Sequence, residues 1–292
     1  MASLPIPSTH VNHANTSGRT WTDSLPRPRS AIYPRVRAGP ALVSGASRGI
    51  GRALAAGFAS RGARVIITGR NKETLAATAE EIGVDGNVEA VVCDVASVDS
   101  IRSAVQYVRE TYGRIDTLVS VAGVNIRQPA TAFTEEDYDF VVDINLKGAF
   151  FIAQQVGKVM LEQGSGSIIN IDSLNTYAPL KNVAPYALSK AGVVMMTRSL
   201  AVEWGPGGVR VNTLAPGFIL TDLTQKLWSD PTMQAWGETN TPLTRLGNPE
   251  DMVGTAVFLA SDASAFMTGQ VVRVDGGFSA GVNWPIPSGG GQ

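Results

Sequence analysis

The chain has 292 residues, 44% of them hydrophobic, with 31 glycines and 25 acidic against 24 basic side chains, for a formal net charge of −1. A chain of this length buries a sizeable core within one domain, and near-neutral charge without a basic run leaves a nucleic-acid role without support. No apolar run is long enough to cross a membrane. The only cysteine is Cys93 and the only histidines are His10 and His13, which removes disulfides, His-based triads and His/Cys zinc clusters from the core.

Residues 1–38 are rich in Pro, Ser and Thr and hold five arginines against a single acid, Asp23. This composition predicts a disordered tail preceding a folded domain over 39–292. It has no apolar stretch of the secretory kind, and its proline density argues against an amphipathic import helix. A cytoplasmic location is therefore expected, with organellar import through the tail as the lesser reading.

At 41–51, Ala-Leu-Val-Ser-Gly-Ala-Ser-Arg-Gly-Ile-Gly, a short apolar strand runs into a glycine-rich turn, and an amphipathic helix follows from Ile50 to about residue 61. Gly45, Gly49 and Gly51 permit a tight turn and close backbone approach to a pyrophosphate, whose charge the helix N-terminus favours. The second strand, 64–68, ends at Gly69-Arg70, where an NAD enzyme would carry an acid for the ribose hydroxyl. Arg70 and Arg48, the latter in the glycine turn itself, instead suit a 2′-phosphate, so NADP is favoured over NAD. Further apolar strands at 88–93, 116–120, 167–171, 209–212 and 270–274 alternate with helical stretches, among them 145–161 and 185–204. The pattern predicts an α/β domain: a doubly wound, Rossmann-type parallel sheet of about seven strands with helices on both faces. Tyr186 and Lys190, four residues apart, share one face of the last of these helices, and the cation is expected to lower the phenol pKa from about 10 toward working pH.

Together, Ser-Gly-Ala-Ser-Arg-Gly-Ile-Gly at 44–51, Val-Val-Cys-Asp-Val at 91–95, Ala122-Gly123, Asn145, Ser173, Tyr186-x-x-x-Lys190, Pro216-Gly217 and Val-Asp-Gly-Gly at 274–277 resemble the short-chain dehydrogenase/reductase family in order and spacing. The resemblance spans roughly residues 39–280. Two positions depart from it: Ser44 stands for the usual Thr, and Ser120-Val121 for Asn-Asn, so that Val121 forgoes a side-chain hydrogen bond. The resemblance implies that Tyr186 exchanges a proton with the substrate oxygen while hydride passes between the nicotinamide and carbon. Lys190 would lower the Tyr186 pKa and hold the ribose, Ser173 would bind the reacting oxygen, and Asn145 would hold a water linking Lys190 to solvent. On the cofactor side it implies Gly45, Ser47, Arg48, Gly49, Ile50, Gly51 and Arg70 at the phosphates, Asp94 and Val95 at adenine, and Ala122 and Gly123 at the fourth strand. Pro216, Gly217, Ile219 and Thr221 would run past the nicotinamide. A helix N-cap is the competing reading of Asp94, and a cap at a helix start that of Asn145.

Within the family the likeness extends furthest to gluconate 5-dehydrogenases and related sugar-acid dehydrogenases, through Ile126-Arg127-Gln-Pro129, Pro216-Gly-Phe-Ile-Leu-Thr-Asp222 and Ala235-Trp236. This makes Arg127 a candidate for the substrate carboxylate, Asn175 for sugar hydroxyls and Trp236 for a lid or a subunit contact. The expected substrate is a sugar acid, with a polyol or ketone in the same class; a 3-oxoacyl thioester reductase is the sister reading. A non-catalytic NADP-binding scaffold is the reading from another class, against which the intact Asn-Ser-Tyr-Lys set argues. The family also implies a homotetramer or dimer built on the two long helices, with Trp284 and Ile286 of the C-terminal tail available to anchor on a neighbouring subunit.

Overall fold

In the computed structural model, which describes residues 39–282, seven parallel strands form one sheet. They are β1 (Ala41–Ser44), β2 (Val65–Gly69), β3 (Val88–Val92), β4 (Thr117–Ser120), β5 (Gly166–Ile171), β6 (Val209–Pro216) and β7 (Val271–Val274), in the order β3-β2-β1-β4-β5-β6-β7. The helices are α1 (Gly49–Ala59), α2 (Lys72–Ile82), α3 (Val98–Tyr112), α4 (Glu135–Val142), α5 (Gly148–Gln163), α6 (Ala184–Trp204), α7 (Gln225–Trp228), α8 (Pro231–Asn240) and α9 (Val253–Ala260). The expected doubly wound sheet is present. The readings made for residues 1–38 and for Trp284 and Ile286 lie outside the described residues.

Alternation along the strands divides the core in two. Leu42, Ile66, Leu118, Ile168 and Val211 face α3, α5 and α6 on one side, and Val43, Ile67, Val119 and Ile169 face α1 and α9 on the other. Because both faces are covered, the central strands read as continuous apolar runs. The sixth strand runs past the expected 209–212 as far as Pro216 because its first part pairs with β5 and its last part, from Thr213, pairs with β7. Its polar residues are accommodated by bonds to α6 and to the segment before β7: Thr213 Oγ1 donates to Thr197 Oγ1 at 2.8 Å, and Asn212 Nδ2 donates to the Met267 carbonyl at 2.9 Å.

Asn145 does not begin a helix, which corrects the expectation of one starting near it. A continuous helical segment starts at α4, capped by Thr134, and runs into α5 through a π turn over Asp143–Lys147. Such one-turn widenings turn a side chain off the helix's regular register, and they recur at functional sites. Strand order reverses between β1 and β4, whose neighbours diverge to opposite sides, and this opens a crevice at the carboxyl ends of the strands.

Candidate active site

The glycine turn is packed too tightly for any other residue at two of its positions. Gly45 has φ +65°, and a Cβ on it would lie 2.7 Å from the Ala122 Cα; one on Gly51 would lie 2.4 Å from the Gly45 carbonyl oxygen. Across this contact the Ser44 hydroxyl accepts from the amides of Val121 and Ala122 at 3.1 and 3.4 Å, so the Ser44 side chain holds the backbone at Val121, whose own side chain offers no bond. From the second helix, Thr78 Oγ1 donates to the Ser47 carbonyl at 3.2 Å.

The first turn of α1 has no side-chain cap and no acid, whereas α2, α3 and α4 are capped by Asn71, Ser97 and Thr134. Its leading N–H groups therefore lack a side-chain acceptor, and the end of the helix faces the crevice with its partial positive charge uncompensated. This fits the pyrophosphate of a dinucleotide. Arg48 and Arg70 line the same crevice, as do Gly45, Ser47, Gly49, Ile50 and Gly51. Asp94 and Val95 line it too, and Asp94 is not the cap of α3: its Oδ1 accepts from the Ala96 amide at 3.0 Å, and Ser97 caps the helix. Ala122 and Gly123 close the β4 side, and Pro216, Gly217, Ile219 and Thr221 close the β6 side. Thr221 is held by the Thr224 hydroxyl, which accepts from the Thr221 amide at 2.9 Å and donates to the Ile219 carbonyl at 2.6 Å.

Ser173, Tyr186 and Lys190 meet in this crevice. Lys190 is buried, its Nζ donates to the Ile171 carbonyl at 2.7 Å, and it sits 5.8 Å from the centroid of the Tyr186 ring. Burial pulls the ammonium down to about 8, with Asp172 pushing the other way. The Tyr186 phenol lies above its ordinary value, opposite to the expected fall: burial raises it most, the Ser173 hydrogen bond lowers it, Asp172 raises it and the Arg127 charge lowers it. The desolvation of the phenolate in this apolar wall outweighs the charges that favour it.

Asn145 does not line the crevice but braces it. Its Oδ1 accepts from the Val124 amide at 2.7 Å, and its Nδ2 donates to the Val124 carbonyl at 2.9 Å and to Ser189 Oγ at 3.1 Å. Ser189 Oγ in turn donates to the Tyr186 carbonyl at 2.7 Å, so one amide ties the segment after β4 to the helix that carries the tyrosine.

The three substrate-side candidates do not line the crevice. Arg127 is exposed on the segment after β4, near enough to Tyr186 for its charge to act there. Asn175 is buried and turned inward, because its Nδ2 donates to Ser173 Oγ at 3.1 Å and its Oδ1 accepts from the Leu180 amide at 2.9 Å. It orients the serine instead of presenting its amide to a sugar hydroxyl. Asn175→Ala is expected to lower kcat about tenfold through misplacement of Ser173 and to cost about 1–2 kcal/mol in urea denaturation through the unpaired Leu180 amide. Trp236 lies on α8 and meets Phe218 edge to face at 5.5 Å, within an aromatic group that also includes Trp228 and Phe278. Sequence reasoning missed the role of Asn175 and the presence of Asp172 in the crevice wall; the position of Asp172 directly before Ser173 at a strand's carboxyl end was the signal available for it. Cys93 also reaches this wall, where burial pushes its thiol up to about 11 and leaves it unreactive.

An uncapped glycine-turn helix at a sheet switch point, together with a half-buried tyrosine, a buried lysine one turn on and an oriented serine, fits a nicotinamide-dependent oxidoreductase. The comparisons agree. The family model described as enoyl-(acyl carrier protein) reductase matches residues 45–279, and the chain belongs to the short-chain dehydrogenase/reductase family, whose similar members here act on CH–OH groups. Gluconate 5-dehydrogenase of Gluconobacter oxydans is 39% identical over 240 residues, 82% of this chain and 94% of that protein. D-threitol dehydrogenase of Mycolicibacterium smegmatis is 42% identical over 240 residues, covering 82% and 92% respectively. The crystal structure of a gluconate 5-dehydrogenase from Burkholderia cenocepacia in complex with NADP and tartrate superposes with a TM-score of 0.82 at 38% identity, covering 85% of this chain and 98% of that one.

Proposed function

We propose that the protein interconverts a secondary alcohol and a ketone on a sugar acid of the gluconate and 5-ketogluconate type, with NADP(H) preferred over NAD(H). The observation that carries this reading is the meeting of Ser173, Tyr186 and Lys190 in a crevice that also holds Arg48 and Arg70. Likeness to two gluconate 5-dehydrogenases, one of them complexed with NADP, supports the substrate and the cofactor. NADP(H), when bound, supplies or takes up the hydride. Tyr186 Oη gives a proton to the carbonyl oxygen in reduction and receives it from the alcohol in oxidation. The Ser173 hydroxyl, whose oxygen accepts from Asn175, has a single hydrogen, which passes from the Tyr186 phenol to the reacting oxygen when substrate binds. Lys190 favours the phenolate once charge develops on it and binds the nicotinamide ribose. Assembly belongs to the same proposal: Leu188, Met195 and Val202 are 60%, 58% and 81% exposed along α6, a face suited to a second copy in a homotetramer or dimer.

The test is NADP(H)- and NAD(H)-linked turnover of gluconate, 5-ketogluconate, threitol and an acetoacetyl thioester by the wild type and by Arg127→Ala. Sugar-acid turnover is expected, with the variant raising KM for the acid about tenfold and leaving the uncharged polyol unaffected, as loss of one exposed charge-assisted contact requires. Likeness to the threitol enzyme favours a neutral polyol as the second reading. Turnover of threitol alone would establish that reading and remove the sugar-acid one.

A further inference from the structure

We infer that Asp172 is a positioning residue for the Tyr186–Lys190 pair: its buried carboxylate keeps Lys190 cationic and thereby sets the pH range in which the site works. The inference rests on the proton chemistry proposed above. Three successive residues at the end of β5 serve that chemistry. The Ile171 carbonyl accepts from Lys190 Nζ at 2.7 Å, Asp172 follows, and Ser173 carries the hydroxyl that bonds Tyr186. Asp172 is 2% exposed, and its amide donates to the Leu214 carbonyl at 2.9 Å, which pins it between β5 and β6.

Only half of the carboxylate is used structurally. Its Oδ2 accepts from Thr176 Oγ1 at 2.7 Å, while Oδ1 is buried with no hydrogen-bond partner among the described residues. A side chain kept only to anchor Thr176 needs one acceptor oxygen, which Asn or Ser supplies without burying a charge, so the second oxygen and the charge call for another account. The charged and titratable groups that face it provide one. Lys190 and Tyr186 approach from α6, and Arg273 approaches from β7, with its guanidinium 4.2 Å over the Tyr177 ring and shared with Asp275. Arg127 acts on Tyr186 from the opposite side. Of these, Asp172 is the group that counters the burial of Lys190, and the same charge opposes formation of the Tyr186 phenolate. The carboxylate itself is pushed up to about 6 by burial, so it carries its charge above that pH, where Lys190 would otherwise begin to lose its own.

Removing the charge therefore moves both partners in one direction, because Lys190 and Tyr186 each fall. In Asp172→Asn, the bell-shaped profile of kcat/KM against pH for alcohol oxidation is expected to move to lower pH by about one unit on both limbs, the size of effect that one nearby charge exerts. Its height at the optimum should fall less than tenfold. The pH above which NADPH binding weakens, read by NADPH fluorescence, should move down by the same amount, because Lys190 also holds the ribose. Asp172→Ser, which keeps an acceptor for Thr176, should reproduce both shifts. A profile lowered equally at every pH, or superposable on the wild type in both variants, overturns the inference. Failure of the wild type to turn over any sugar acid, with the NADPH-binding midpoint still displaced in the variants, removes the proposed substrate and leaves the role of Asp172 standing.

Discussion

Tyr186→Phe is expected to lower kcat about 1,000-fold while the Kd for NADPH stays within about twofold, because the phenol hydroxyl is the proposed proton donor and the ring remains to wall the crevice. The drop is large because no neighbouring group can take over: Asp172 carries its charge above about pH 6 and has no proton to give at neutral pH. Lys190 Nζ is engaged by the Ile171 carbonyl, the Ser173 hydroxyl is too weak an acid to give up its proton, and the described residues contain no histidine. Stopped-flow NADPH oxidation with the best substrate of the panel, beside fluorescence titration of NADPH, separates the two effects. Loss of binding together with turnover would mean that Tyr186 acts chiefly as packing, and unchanged turnover would sink the mechanism.

Removing both guanidinium groups, in Arg48→Ala with Arg70→Ala, is expected to raise KM for NADP+ about 100-fold and to change that for NAD+ less than threefold. Each charge-assisted contact to a phosphate contributes about 1.5–3 kcal/mol when well placed, and exposure of both side chains keeps the pair toward the lower end of the sum. The effect should shrink as salt rises from 50 to 500 mM, since exposed charges are screened. Parallel steady-state titrations of the two cofactors read it directly. Equal losses for NADP+ and NAD+ would place the arginines on the pyrophosphate, and no loss for either would leave them as solvated surface groups. Folding should not suffer: Arg48 caps α1 without a side-chain bond, and the α2 cap is supplied by Asn71.

Much of this was legible in the sequence because it depends on local periodicity and fixed spacing. Alternation of apolar strands with helices specified a parallel sheet, since a strand covered on both faces must be apolar throughout. Gly45 and Gly51 were legible because backbone contacts at 2.7 and 2.4 Å admit no side chain. The four-residue spacing of Tyr186 and Lys190 placed them on one helical face whatever surrounds them. The π turn at Asn145 was not legible, because the same residues propagate an ordinary helix unless Val124 and Ser189 draw the amide out of register. The inward turn of Asn175 depended on where the Leu180 amide came to rest. The direction of the Tyr186 shift was misjudged because a spacing reports which charge is near and says nothing of how much water is lost. Sequence by itself thus determined the sheet, the glycine cradle and the placing of Tyr186 and Lys190 on one helical face. Only the tertiary structure decided which polar groups are spent on one another, and so how each ionises, because desolvation and hydrogen-bond partners arise from residues far apart in the chain.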